Sequence, residues 1–225
     1  MTVEKGLVND DLKARAMGLD AEARKAFEGQ DYTRSRHLFQ QALEACRLAN
    51  WKEEIIYGLL HVTHAMSFEP DYDPANARPL LEEALQVALQ IGTDRYIIPV
   101  QINRVRLFID EGKPVEGLRL AQEYLRRAME LSDHVMVINL LTFNAIALAS
   151  LGQAEAALRI FGSTEAERSR RGDKITEPFL TALERRLAPA RSALSKERQD
   201  IIEAQGYGLS LEEAAKFALS IQVPE

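Results

Sequence analysis

Cysteine is almost missing from this chain of 225 residues, in which Cys46 is the single example. One cysteine excludes an internal disulfide and any zinc site that is built on several thiolates. Aromatic residues are also few, at 7%, and 12 glycines and 8 prolines are a small supply for a protein of many short strands and turns. The composition therefore favours helices that are joined by short connections.

Positive charge is in deficit, with 28 Lys and Arg against 34 Asp and Glu and a formal net charge of −6. Nucleic acids and anionic membranes attract basic surfaces, so both are disfavoured as partners. No run approaches the roughly 20 apolar residues that a spanning helix needs, and the first residues lack the apolar core of a signal peptide. We therefore expect a cytoplasmic protein without a direct nucleic-acid or membrane partner.

One helical pattern occurs four times along the chain, each time with a small residue followed four positions later by a second residue of the same face. The small residues are Ser35, Ala77, Gly117 and Ala157, and their partners are Phe39, Leu81, Ala121 and Phe161. A fixed period of about 40 residues indicates stacked helix pairs, because one pair cannot bury its apolar stripe without a neighbour. The sequence predicts an all-α fold, a right-handed α-solenoid of about four helix pairs with C-terminal capping helices.

The helix boundaries follow from the same pattern. We expect helix pairs at about 10–28 with 32–49, 51–68 with 74–91, 94–111 with 114–131, and 133–150 with 154–170. These pairs give repeats at about 10–50, 51–92, 93–131 and 132–171 and a cap at about 175–220, all within one domain of residues 1–225. In each pair, the residue twelve positions before the small residue is expected to pack against it; Ala65 and Ala145 are small enough, whereas Val105 is larger.

Several residues mark where helices start and stop. A typical helix start is Asp73, which precedes a proline. Another is Ser210, which together with Glu213 three positions later predicts a capping box. Helix ends in the left-handed conformation are expected at Gly29, Gly92, Gly112 and Gly152. Pro189 predicts a kink or a break in an amphipathic helix over residues 175–194.

The C-terminal part of the chain carries a recognisable set of residues. These are Ala157, Phe161, Gly162, Glu165, Ala190, Arg191, Leu194, Gly208, Leu209, Ser210, Glu213 and Ala214. Over about residues 130–220 the chain resembles the tetratricopeptide-like repeat region of large bacterial signal-transduction ATPases, which include LuxR-type transcriptional regulators and cyclase-coupled ATPases. Ser163 and Thr164 stand where that region usually has two alanines. The resemblance implies a sensor or scaffold arm whose repeats bind an inducer or a partner protein.

Catalytic and metal sites have weak support in the sequence. His61 and His64, three positions apart, are either metal ligands on one helix face or partly buried helix residues, and the apolar flanks favour burial. Glu69, Asp71 and Asp73 crowd one turn, but without the glycine and the last glutamate of a calcium-binding loop they favour a solvated turn. The chain has no G-x-x-x-x-G-K-[S/T] string for phosphate. We expect no enzyme, no metal and no cofactor.

A basic cluster near residue 170 has two interpretations. Arg168, Arg170, Arg171 and Lys174 could bind phosphate or an acidic partner. Acidic residues are interleaved with them, including Glu165, Glu167 and Asp173. Such mixing favours a solvated surface of ion pairs within and just after one helix.

The remaining candidate site is the concave groove that a stack of helix pairs forms from the first helix of each pair. Counting back from the small residues places seven residues toward it: Leu59, Val62, Met66, Ile102, Arg106, Asn139 and Thr142. An apolar floor with a few polar groups suits a peptide or a helix. The alternative is that Leu59, Val62 and Ile102 belong to the core between repeats.

Two functions remain open. The first is a non-catalytic protein-interaction or sensor module of a bacterial regulator, which binds a peptide, a protein segment or a small inducer in this groove. The second is a self-associating structural scaffold, in which exposed helix faces form a homodimer without a small ligand.

Overall fold

The computed structural model describes residues 2–173, 175 and 177–224, with side chains described from residue 9 onward. Within these residues the chain forms eleven helices and no strand, which confirms the predicted all-α class. The helices are α1 (Thr2–Glu28), α2 (Tyr32–Leu48), α3 (Lys52–Met66), α4 (Pro74–Ile91), α5 (Asp94–Asp110), α6 (Pro114–Glu130), α7 (His134–Ser150), α8 (Ala154–Arg171), α9 (Phe179–Ser192), α10 (Lys196–Tyr207) and α11 (Leu211–Ser220). Among these helices, none combines the length and the apolar character that crossing a membrane requires.

The chain divides into two compact units, Met1–Val100 and Gln101–Glu225, with the division inside α5. In unit 1, α2 packs against α1 and α3, and α3 packs against α4. In unit 2, α7 packs against α6 and α8. Repeat arrays make contacts mainly between neighbouring repeats, so such a division is compatible with one domain. The single domain of residues 1–225 stays a prediction.

Most helices end in the same tight turn. A residue in the left-handed conformation, with φ between 50° and 78°, recurs at Gln30, Asn50, Gly92, Gly112, Ser132, Gly152 and Gly172. Successive residues of this set are 20 positions apart, except for Asn50 and Gly92, which are 42 apart. The connection between α3 and α4 has no left-handed residue, so two intervals of 20 run together there, and this longer connection adds two residues. Two turns per repeat therefore give the period of 40, and the added residues give the interval of 42 between the first two small residues.

The turn closes by a backbone hydrogen bond. In six of these turns the N–H of the next residue donates to a carbonyl five positions earlier, as Lys113 does to Phe108 at 2.8 Å. Gly92, Gly112 and Gly152 are left-handed as predicted, but the prediction for Gly29 is wrong, because Gln30 takes that conformation instead. The turn geometry decides which position needs positive φ, and a neighbouring glycine does not shift it.

The predicted helix starts are present. The Asp73 side chain accepts a hydrogen bond from the N–H of Ala75 at 2.9 Å, and Ser210 and Glu213 form both halves of the capping box. The prediction for residues 175–194 is partly wrong, because α9 begins at Phe179 and continues three residues past Pro189 without a break. Proline removes only one hydrogen-bond donor, and the helix needs few further bonds so close to its end.

The predicted contact between a small residue and the residue twelve positions earlier is present in two of the pairs. In unit 1, Ser35 is fully buried and its hydroxyl donates to the carbonyl of Ala23 at 2.9 Å. In unit 2, a Cβ added to Gly117 would lie 3.4 Å from the carbonyl oxygen of Val105. A larger residue at these positions would separate the two helices.

The last three helices of unit 2 pack in different ways. Helix α9 packs against α7 and α8, and α10 packs against α8. The α8–α10 crossing depends on two glycines, because a Cβ on Gly162 would lie 2.4 Å from the Glu203 carbonyl oxygen and a Cβ on Gly206 would lie 2.0 Å from that of Arg159. Helix α11 folds back against α6, α7 and α8.

Candidate functional site

The seven residues that the sequence places in a groove differ widely in exposure. Leu59, Val62 and Ile102 are 0%, 1% and 8% exposed, so they lie among core side chains. Arg106 and Thr142 are also buried, at 5% and 8%. Met66 and Asn139 are half-buried. The seven are divided between the two units, and as one binding site they stay a prediction.

Thr142 is occupied by contacts within unit 2. Its hydroxyl donates to the carbonyl of Ile138 at 2.8 Å and accepts from Nη2 of Arg168 at 3.0 Å. Burial lowers the pKa of Arg168 below its ordinary value, and the neighbouring Glu165 opposes that shift. A ligand would have to replace these contacts to reach the Thr142 hydroxyl.

Unit 1 instead presents a half-exposed face on α3 and the turn that follows it. We call this row the α3 face, and its members are Glu54, Tyr57, His61, His64 and Phe68, all of intermediate exposure. The spacing of three and four residues places them on one side of the helix. Leu59 and Val62 point elsewhere, into the core. The α3 face is therefore the side of α3 that is partly open to water. It lies next to the side that the sequence places in the groove.

His61 sits at the centre of a charged contact with α1. Its Nδ1 lies 3.0 Å from Oδ1 of Asp20, and its Nε2 lies 3.2 Å from Nη2 of Arg24. Nε of Arg24 in turn donates to Oδ2 of Asp20 at 2.7 Å. An arginine can only donate, so Nε2 of His61 accepts in this contact, and Nδ1 is the ring nitrogen that faces Asp20. The three side chains hold one another in place.

The carboxyl of Asp20 shows the effect of this contact. Burial favours its neutral form, but hydrogen bonding to His61 and Arg24 and the positive charge of Arg24 outweigh burial, so the pKa of Asp20 lies below its ordinary value of 3.8. Asp20 is therefore ionised at neutral pH. Its charge fixes the Arg24 guanidinium beside the α3 face.

His64 and Phe68 belong to an aromatic cluster with α1 and α2. The His64 ring stacks on Phe27 with centroids 5.3 Å apart and an interplanar angle of 26°. Phe68 meets Phe27 edge-on at 5.1 Å and lies 5.4 Å from Tyr32. Aromatic pairs in these geometries attract one another beyond their burial. The cluster therefore holds the C-terminal end of the α3 face rigid.

The other end of the α3 face carries Tyr57, whose ring lies 6.2 Å from that of Tyr96 in an edge-on geometry. The ring of His61 also packs against the ring of Phe39 on α2, with centroids 4.9 Å apart. The face thus offers ring surfaces for apolar groups and fixed polar groups beside them. Rigid aromatic side chains with a few polar partners are the composition of recognition surfaces.

The two histidines are partly buried helix residues, as the apolar flanks indicated. Among the described residues, no group of three or more His, Cys, Asp or Glu side chains could hold a metal ion. In the acidic turn, Glu69 accepts a hydrogen bond from Nε of Arg36 at 2.9 Å, and Asp73 caps α4. These carboxylates have structural partners.

The basic residues near position 170 are paired, as the interleaved acids indicated. Arg168 contacts Glu165 at 3.1 Å, and Arg170 contacts Glu167 at 3.1 Å. Arg171 pairs with Asp173 at 3.0 Å, and Lys174 lies outside the described residues. The described arginines of this cluster therefore form local ion pairs.

Comparison of the chain with family models, with curated proteins and with solved structures finds no match. The fold and the site define an all-helical protein with a half-exposed aromatic and histidine face on one helix of unit 1.

Proposed function

We propose that this chain is a non-catalytic protein-interaction or sensor module, which binds a peptide or protein segment on the α3 face. The observation that carries the proposal is the row of half-exposed aromatic and histidine side chains on that face, fixed by α1 and α2. A contiguous row of ring side chains at the surface is typical of an interaction site, because ring surface gains from being covered by a partner. Held rigid, they lose little entropy when a partner binds.

The finer architecture supports the same proposal. We propose that the helix pairs form a right-handed, tetratricopeptide-like α-solenoid, similar to the repeat arm of a cytoplasmic bacterial transcriptional regulator or signalling ATPase. The recurrent left-handed turn and the small residues buried at the same place in each pair support this arrangement. In such a stack the first helix of each pair lines one surface, and α1 and α3 are first helices.

The test uses variants of the α3 face and a matched control. The wild-type chain is used as bait in bacterial lysate, and a stoichiometric partner is then purified and its affinity measured by calorimetry. Tyr57→Ala and His61→Leu each remove one recognition group. Tyr207→Ala removes a ring that is 54% exposed on α10, in unit 2. We expect the first two variants to weaken binding by about tenfold or more, as interface residues of this kind do.

The control is expected to bind within about twofold of wild type. Equal affinity of all four proteins would overturn the assignment of the α3 face. Light scattering on the same samples addresses the second function, because a stable dimer without any partner or inducer would favour the self-associating scaffold. Melting curves check that each variant is folded.

A further inference from the structure

Helix α11 is attached to unit 2 by little apolar surface. Its fully buried side chains are Ala214, Ala215 and Ala218, while the larger Phe217 stays half-exposed. By contrast, α10 buries Ile202 completely and brings its backbone against α8 at Gly206. Apolar burial scales with area, and an alanine side chain supplies the least of it. No large apolar side chain of α11 is fully buried, because Leu211, Phe217 and Leu219 are all half-exposed, whereas Leu187 of α9 and Ile202 of α10 are fully buried.

A polar contact compensates at the C-terminal end of α11. Gln122 on α6 is 5% exposed, and its Nε2 donates to the carbonyls of Ala218 at 2.8 Å and Ile221 at 2.9 Å. The Ala218 carbonyl also accepts a long backbone hydrogen bond, 3.4 Å, from the N–H of Ile221, so the Gln122 amide adds a second donor to Ala218 and a donor to Ile221 at the end of the helix. The guanidinium of Arg159 adds a contact 5.1 Å above the ring of Phe217.

We propose that α11 is a strap, which opens as a unit while α6 to α10 stay folded, and that Gln122 is the latch that closes it. Opening breaks the two hydrogen bonds of Gln122 and the contact between Arg159 and Phe217, and it separates three buried alanines from their partners, but it leaves the α8–α10 crossing untouched. Segments with few buried apolar contacts open below the free energy of global unfolding. The open state uncovers the surfaces of α6, α7 and α8 on which α11 lies, including the amide of Gln122.

This device is independent of the α3 face, which belongs to unit 1. The chemistry of the uncovered seat is defined by its present occupant. It takes a short helix with small residues on one face and carbonyls at its C-terminal end that can accept from the Gln122 amide.

Amide hydrogen exchange of the full chain tests the strap. In wild type we expect the amides of α11 to exchange faster than those of α8 and α10. Gln122→Ala removes both latch bonds, so exchange in α11 is expected to rise by about tenfold or more while α8 and α10 change little. Gln122→Glu keeps the size of the side chain without its N–H donors, and it is expected to act in the same direction.

Gln199 supplies a matched control within the same unit. Its Nε2 also donates to two carbonyls at a helix end, those of Arg191 at 2.7 Å and Leu194 at 3.0 Å, at the end of α9. Gln199→Ala is expected to leave exchange in α11 unchanged. The proposal is overturned if α11 exchanges at the same rate as α8 and α10 in wild type and all three accelerate together in both Gln122 variants.

Discussion

Helices α3 and α7 stand at equivalent positions of the sequence pattern with a period of about 40, yet they differ in exposure. They align on Ala65 and Ala145, which are both 0% exposed. Four of the five positions of the α3 face correspond to buried side chains in α7, and the fifth, Glu54, corresponds to the exposed His134. Tyr57, His61 and His64, all half-exposed, correspond to Val137, Leu141 and Asn144, which are 3%, 0% and 0% exposed. The same helix position is thus a surface in unit 1 and a core in unit 2.

The neighbours explain the difference. Helix α7 packs against α6, α8, α9 and α11, which leaves it buried on nearly every side. Helix α3 packs against α2 and α4, and α1 reaches it through long side chains such as Arg24 and Phe27. A helix that is apolar all round belongs in a core, and a helix with one polar and aromatic side keeps that side near water. In both helices, the side chains are mostly apolar where neighbouring helices cover them and mostly polar or aromatic where water reaches them.

The largest effect on stability is expected when the residues of one aligned pair, Leu141 and His61, are exchanged. Leu141→His places an imidazole among core side chains, and we expect a loss of about 3–5 kcal/mol in the free energy of unfolding. His61→Leu makes the reverse change on the half-exposed face, and we expect stability within about 1 kcal/mol of wild type. Denaturant unfolding of both variants gives the two values. Similar losses at the two sites would contradict the assignment of core and surface.

The α8–α10 crossing predicts the next largest effect. A Cβ in Gly206→Ala would overlap the carbonyl oxygen of Arg159, so the helices must move apart, at a cost of about 2–4 kcal/mol.

Gly18 is the control for this substitution, because nothing lies within 4 Å of the position of its Cβ. In a helix, Gly18→Ala is expected to stabilise the protein by about 0.5–1 kcal/mol. Thermal melting of the two variants should therefore shift in opposite directions. An unchanged melting temperature in Gly206→Ala would show that the crossing is looser than described.

The contact between α1 and α3 predicts a smaller, pH-dependent effect. The pKa of Asp20 is lowered in the folded protein, so its charge stabilises the fold above the unfolded value of about 3.9, and this contribution disappears as the pH falls through the folded value. We expect the free energy of unfolding of wild type to exceed that of Asp20→Asn by about 0.5–1 kcal/mol at pH 7 and by progressively less as the pH is lowered toward about 2.

A solvated ion pair provides the control for the pH series. Glu212 contacts Lys216 one turn away, and its side chain is 67% exposed. The Glu212→Gln variant should differ little from wild type at either pH. A constant difference between wild type and Asp20→Asn across the pH series would show that the Asp20 charge is not what matters.

Local signals in the sequence were sufficient for most helix boundaries. The pairs from α2 to α8 lie within a few residues of the predicted ranges, because caps such as Asp73 and turn residues such as Gly112 act through nearby backbone groups. The buried small residues were also predictable, since a period of 40 repeats their contacts. Gly29 shows the limit of that argument, because only the turn geometry selects Gln30.

Tertiary contacts set what the sequence did not predict. The fold-back of α11 depends on Gln122, which is 96 residues from Ala218 along the chain. Which side of α3 stays near water depends on how α1 and α2 cover the helix. Counting back from Ala77 predicts the position of α3 in the repeat, but it does not predict which side is exposed. The histidines and the tyrosine at spacings of three and four were the available signal for the α3 face.

The most direct test of the α3 face is a histidine-selective NMR titration with the purified partner. The chain has four histidines, of which His61 and His64 lie on the face while His37 and His134 are exposed elsewhere. We predict that binding shifts the imidazole signals of His61 and His64 and leaves those of His37 and His134 in place. Shifts at His37 or His134 with none at His61 and His64 would contradict a binding site on α3.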